Sequence, residues 1–307
     1  MTSGQVVLDV DGLRMRYGTT DVLHDVTFQV GHGEVLALLG PNGAGKTTTI
    51  EILEGFRLRS GGRVDVLGTD PAHGDERWRA RVGVVLQSWR DHGKWRVREL
   101  LAHLGSHYRS YSTALIERPW DADELIAAVG LTEQADKKIR MLSGGQRRRL
   151  DVAVGIVGRP ELVFMDEPTA GLDPVARREF HELLHGLTVE GRTTILLTTH
   201  NLDEAEKLAD RIMILHGGRI VADGTAAELA QRIVGQDQVS WTRDGQRFTQ
   251  STTESTKFVF ELFTQHGESI ADLDVSRASL EDTYLSLVGQ AESDRHSTTK
   301  EWDEVAR

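Results

Sequence analysis

The sequence predicts an α/β protein: a mixed sheet, an antiparallel β subdomain, a helical subdomain and a small C-terminal α+β unit. Three observations carry that prediction. Val35-Leu36-Ala37-Leu38-Leu39 is an apolar run that feeds into Gly40-Pro41-Asn42-Gly43-Ala44-Gly45-Lys46-Thr47, the pattern of a buried strand turning into a helix. From Val82 to Thr198, apolar strand-like runs alternate with helical periodicity, as parallel strands flanked by helices require. Ahead of both, Val6 to Val10, Leu13 to Tyr17 and Val26 to Val30 alternate apolar and polar residues, which suits three short antiparallel strands half covering a core.

The remaining elements follow in order. A helix is expected from Lys46 to about Glu54, then a short strand, Val64 to Leu67, bracketed by Gly61-Gly62 and Gly68. Val82 to Leu86 reads as a buried strand ending at Gln87. From about Val97 to Gly130 the pattern is helical, with Asp121 as a helix cap. Ser143 opens a helix to about Val157, and a helical stretch from Val175 to Leu187 separates the strands Leu162 to Met165 and Thr194 to Thr198. A boundary is expected near Gly224, giving units of residues 1–224 and 225–290, with Thr225 capping a helix through Ile233. In the second unit, Gln238 to Thr242 and Arg247 to Gln250 form a hairpin. A helix from Thr256 to His266, a strand near Ala271 to Val275 and a last helix complete it. In that last helix Leu280, Tyr284, Leu287 and Val288 share a face. Residues 291–307 are polar and expected to be a disordered tail.

Composition narrows the chemistry. The 307 residues suffice for one large domain and a smaller one. A net charge of −11 disfavours nucleic acid as a partner. With no cysteine there is neither a disulfide framework nor a thiolate site. Met1 to Gln5 show no basic or apolar leader, and the apolar runs fall far short of the roughly 20 residues that cross a membrane. A cytoplasmic protein is expected, with any membrane role supplied by a partner.

Gly40 to Thr47 is an uninterrupted phosphate-binding loop. Glycines at Gly40, Gly43 and Gly45 let the chain take positive φ and approach an anion, and the following helix adds its positive end. Lys46 is placed to reach β- and γ-phosphates and Thr47 to ligate Mg²⁺. Ser143-Gly144-Gly145-Gln146 sets a second anion site at a helix start. Leu162-Val163-Phe164-Met165-Asp166-Glu167 ends an apolar strand in two carboxylates. Asp166 suits support of Mg²⁺, and Glu167 suits the role of general base toward water.

Together these motifs resemble the ATPase subunit of ATP-binding cassette transporters, a P-loop NTPase cassette, and they run in that family's order from residue 6 to 224. The resemblance implies binding of ATP and Mg²⁺ through Gly40, Pro41, Asn42, Gly43, Ala44, Gly45, Lys46, Thr47 and Thr48, with Tyr17 stacking on adenine. It makes Gln87 the glutamine that touches Mg²⁺ and the attacking water, Asp173 of Gly171-Leu172-Asp173 the D-loop aspartate, and His200 the switch histidine. It also implies a head-to-tail pair, with a second copy or a homologous cassette, in which Ser143, Gly144, Gly145 and Gln146 complete the partner's ATP site. A separate polytopic membrane permease would hold the pair on the inner face of the cell membrane.

Ser279 to Leu285 looks like the ending of drug and lipid exporter subunits, the ABC-2 or daunorubicin-resistance-like branch. Export is therefore expected; an importer subunit or a soluble ATPase of the superfamily is the alternative. Importers of the sugar class carry a longer β-rich domain than residues 225–290 accommodate. Soluble translation-associated members carry two cassettes, and chromosome-maintenance ATPases a long heptad insertion between Thr47 and Leu142. Val97 and Glu99 match the branch pattern, whereas Trp95-Arg96 depart from it. The stretch Trp89 to Arg96 is expected to contact the permease, the alternative being that its two tryptophans pack into the helical subdomain.

Overall fold

The computed structural model describes residues 5–85, 92–188, 193–233, 237–243, 245–252 and 254–276. The expectations for Gln87, Trp89, the last helix and the tail lie outside them. Two long strands open the chain, β1 (Val6–Tyr17) and β2 (Thr20–Gly31). They replace the three short strands expected from the sequence. The pattern breaks at Asp11-Gly12, but Gly12 takes a φ of +60° there, and the strand bulges and continues instead of ending. Then come β3 (Val35–Leu39), α1 (Lys46–Leu53), β4 (Gly61–Val66), α2 (Glu76–Arg79) and β5 (Val82–Val85). The stretch expected to be helical holds two separate helices, α3 (Val97–Ser106) and α4 (Ala122–Ala128), and α5 (Gly144–Ile156) follows. Asp121 caps α4, accepting from the Asp123 and Glu124 amides at 2.9 and 3.1 Å. The alternation resumes with β6 (Leu162–Asp166), α6 (Pro174–Thr188), β7 (Thr194–Thr199), α7 (Leu202–Leu208), β8 (Arg211–His216) and β9 (Arg219–Gly224).

β1 lies between β2 and β4 in a three-stranded antiparallel sheet. The central sheet has six strands in the order β5-β6-β7-β3-β8-β9, and the first five run parallel. β9 follows β8 through Gly217-Gly218, a connection short enough only for antiparallel neighbours. The elements α2, α7, β8 and β9 are not among those the sequence pattern predicts. One core joins the antiparallel sheet, α1 and the central sheet, through Leu8, Phe28, Leu36, Leu38, Ile50 and Phe164. All of β3 is buried, so its loop opens from the middle of the sheet, at the carboxyl ends where such sheets bind ligands.

The chain divides into two compact units, residues 1–220 and 221–307. In the second, Thr225 caps α8 (Ala226–Ile233), accepting from the Glu228 amide at 3.1 Å. Three antiparallel strands follow, β10 (Asp237–Arg243), β11 (Gln246–Thr252) and β12 (Ile270–Ser276), with α9 (Ser255–His266) between the last two. Val239, Trp241 and Leu262 form their core, and Trp241 stacks on its cross-strand partner Phe248 at 5.7 Å.

Candidate active site

The phosphate loop closes between β3 and α1, where the sequence places it. Gly45 sits at a φ of +106° just before α1, a backbone that only glycine takes readily. Gly40 plays a different part from the one expected. It is absent from the positive-φ positions, but a Cβ there would lie 2.3 Å from the Leu215 carbonyl oxygen. Close passage of the loop over β8, not backbone handedness, requires that glycine. Lys46 is 5% exposed and folds back over the loop, donating to the Gly40 carbonyl at 2.7 Å and the Pro41 carbonyl at 3.3 Å.

Strand β6 delivers two carboxylates to this loop. Thr47 Oγ1 donates to Asp166 Oδ2 at 3.2 Å, and the Thr198 hydroxyl on β7 donates to the other carboxylate oxygen. Glu167 Oε1 lies 3.6 Å from Lys46 Nζ and 3.2 Å from His200 Nδ1. Glu167 itself has a φ of +44°, and its amide donates to Thr198 Oγ1 at 3.0 Å. Backbone strain in a residue with a Cβ persists only where its surroundings enforce it. Lys46, Thr47, Asp166, Glu167 and His200 thus meet at one spot.

Two further carboxylates near this spot were not foreseen. Glu54, at the end of α1, is pushed up to about 8 by burial and then by Asp166 and Glu51. Glu204 on α7 is buried and accepts from Thr169 Oγ1 and Thr199 Oγ1, both at 2.6 Å. Neither had a sequence signal, because burial of an acid is decided by what packs over it.

The second anion loop faces elsewhere. Ser143 caps α5, with its hydroxyl accepting from the Gln146 amide at 3.3 Å and its own amide donating to Gln146 Oε1 at 3.1 Å. Asp173 caps α6 by accepting from the Val175 and Ala176 amides at 2.9 and 3.0 Å. Both line an open cavity of about 600 Å³ with Gly144, Gly145 and Gly171, and no phosphate-loop residue borders it. Tyr17 is 40% exposed, and the Arg57 guanidinium lies over its ring at 5.1 Å. Trp95 is half buried against His103 of α3 at 5.0 Å, while Arg96 donates to the Asp136 carbonyl at 2.6 Å. Of the expected docking stretch, these two are held by their own subdomain.

Among the described residues no group of three or more His, Cys, Asp or Glu is placed to hold a metal ion alone. A hydroxyl and one carboxylate 3.2 Å apart fit Mg²⁺ instead, which takes few protein ligands and fills its shell with water and substrate phosphates.

A buried strand, a phosphate loop and a paired acid site define a nucleotide-hydrolysing cassette. The chain belongs to the ABC transporter family, whose domain matches residues 23–170, and it is an ATP hydrolase of that family. It is 37% identical over 300 residues to the Nod factor export ATP-binding protein I of Cupriavidus pinatubonensis (strain JMP 134 / LMG 1197), covering 92% of this chain and 91% of that protein. It is 33% identical to the Daunorubicin/doxorubicin resistance ATP-binding protein DrrA of Streptomyces peucetius, covering 94% of each. Among solved structures, an ATP-binding subunit of an ABC transporter superposes with a TM-score of 0.62 at 30% identity, over 74% of this chain and 92% of that one.

Proposed function

We propose that this chain is the ATP-hydrolysing subunit of an exporter and works as a head-to-tail pair, with itself or a homologous cassette, on a separate membrane permease. The observation that carries this reading is the separation of the two anion loops. Lys46, Thr47, Asp166 and Glu167 form half of a phosphate site, while Ser143 and Asp173 line an open cavity that no phosphate-loop residue borders. A second cassette, turned round, would bring its Ser143 loop over the nucleotide held by the first. No helix among the described residues is long and apolar enough to cross a membrane, and in the proposed assembly a separate permease supplies the membrane path. In that assembly the chain would lie on the inner face of the cell membrane. The relatives named for Nod factor export and daunorubicin resistance favour export of a hydrophobic drug or lipid-like molecule over import.

In the reaction, Lys46 would leave its carbonyl partners for the β- and γ-phosphates, and Glu167 would accept a proton from the attacking water. His200 Nδ1, 3.2 Å from Glu167 Oε1, would hold that carboxylate in place. Thr47 and Asp166, with Gln87, would hold Mg²⁺, which supplies charge neutralisation at the phosphates. Tyr17 would carry the adenine. Glu167→Gln keeps size and hydrogen bonding but removes the base, so it should bind ATP without cleaving it. Sizing that variant with Mg-free ATP should show a dimer; a monomer at high concentration would overturn the head-to-tail pair.

A further inference from the structure

We propose that Arg148 is a positioning residue that ties the helix carrying Ser143 to the peptide following Glu167. This rests on the reading of Glu167 as base and of Ser143 as the group that meets the partner's nucleotide. Arg148 follows Ser143 on α5 and stands between Arg147 and Arg149. An arginine on a helix is ordinarily solvated. Here the middle one is 6% exposed, and its Nε donates to the Pro168 carbonyl, the first peptide past Glu167. Its Nη1 lies 3.9 Å from Asp151 Oδ2, one turn along the same helix, and Arg147 Nε lies 3.3 Å from Asp151 Oδ1.

A buried guanidinium is costly to desolvate, and a methionine of similar volume would fill the space at less cost. What the guanidinium adds is a rigid fork of donors that reads a backbone oxygen from a fixed direction. The segment it reads is held from two other sides. The Glu167 amide is tied to Thr198 on β7, and Thr169 is tied to Glu204 on α7. Glu167 takes its positive φ inside this clamp. A shift of α5 when Ser143 meets a nucleotide therefore pulls on the Pro168 carbonyl and re-aims the Glu167 carboxylate. Docking at one site thus sets the geometry of the base at the other, across a single side chain.

The test compares full-length Arg148→Lys and the charge-balanced double variant Arg148→Met/Asp151→Asn with the parent protein. In both, kcat for ATP should fall about tenfold or more, since small displacements of a base cost that much, while KM changes less than about twofold. Placed in the Glu167→Gln background, both should still dimerise at the parent's ATP concentration, because docking is intact and only its transmission is lost. A parental kcat in either folded variant overturns the proposal. So does a parallel loss of ATP-dependent dimer and turnover, which a merely structural arginine would give. If the double variant does not fold, Arg148→Lys decides by the same readouts. Should Glu167→Gln with Arg148 intact hydrolyse ATP at the parental rate, the base assignment fails on its own.

Discussion

The two anion loops of this chain share a design and differ in what surrounds them. Each puts a glycine-rich turn at a helix start, where free amides and the helix dipole favour negative charge. The phosphate loop is filled from within: Lys46 bonds two of the loop's carbonyls, and Asp166 and Glu167 stand beside it. The Ser143 loop borders open space, and Ser143 and Gln146 cap each other. The first gathers groups suited to a reaction, and in the proposed pair the second would be docked upon. One chain holds both loops and leaves them apart, and in the proposed pair a second cassette would complete the site.

Breaking the first half should have the largest effect. Lys46→Ala removes the cation that faces the phosphates, so turnover should fall by about 10³-fold or more, and nucleotide binding should weaken as well. Steady-state hydrolysis and equilibrium binding measure the two. Hydrolysis at the parental rate would mean that Lys46 is no more than a loop brace.

Breaking the second half should spare binding. Aspartate caps a helix as well as serine does, so Ser143→Asp should fold with an unchanged Tm. Its carboxylate would oppose the partner's γ-phosphate, and turnover should fall about 10²-fold while a single cassette binds ATP as before. Mixing this variant with Lys46→Ala sharpens the comparison. Half of the dimers would be mixed, and each mixed dimer keeps one intact composite site, so roughly a quarter of the activity should return. If two inactive proteins stay inactive on mixing at concentrations where Glu167→Gln dimerises, the loops do not complete each other's sites.

The half-sites also differ in how legible they were. The phosphate loop and the Asp166-Glu167 strand end are contiguous runs whose residue types suit phosphate and metal, and the structure brings them together. The same holds for Ser143 and Asp121, whose caps act within one turn. Tertiary burial was not legible. Nothing local distinguishes Arg148 from its neighbours, or Glu204 from the exposed acids of α7, until β6, β7 and α5 pack around them. Local breaks misled in the other direction. Asp11-Gly12 reads as a strand end but is a bulge within β1, and Gly40 reads as a turn glycine but makes room for Leu215.

The acidic side of the first half-site can be probed by pH. Burial, with Asp166 and Glu51 nearby, holds Glu54 protonated up to about pH 8, against 4.5 in an unfolded chain. A folded-state pKa raised in this way means stability that is full below about 4.5 and lost as pH rises through about 8. Each pH unit in that window is worth at most about 1.4 kcal/mol, and partial solvent access cuts the total to roughly a few kcal/mol. Glu54→Gln should therefore match the parent near pH 4.5 and exceed it in Tm increasingly towards pH 9. A variant less stable than the parent at pH 9 would show that Glu54 is ionised and paired there.

The smallest expected effect lies at the rim, where Tyr17 would meet the base. Arg57, anchored to Glu51 at 2.6 Å, lies over the Tyr17 ring at 5.1 Å, and 40% of Tyr17 remains exposed. A cation over one face would orient the ring, with adenine stacking on the other. A cation–π contact at an exposed position is worth about 0.5–1 kcal/mol, so Arg57→Leu should weaken ATP binding about two- to fivefold. Tyr17→Ala should cost more, about 1–3 kcal/mol, because it removes the stacking platform itself. If Arg57 acts through the ring, adding Arg57→Leu to Tyr17→Ala should cost nothing further, a coupling that a double-mutant cycle on ATP affinity reads directly. Tighter binding in Arg57→Leu would give the opposite picture, with the guanidinium occupying the face that the base must take.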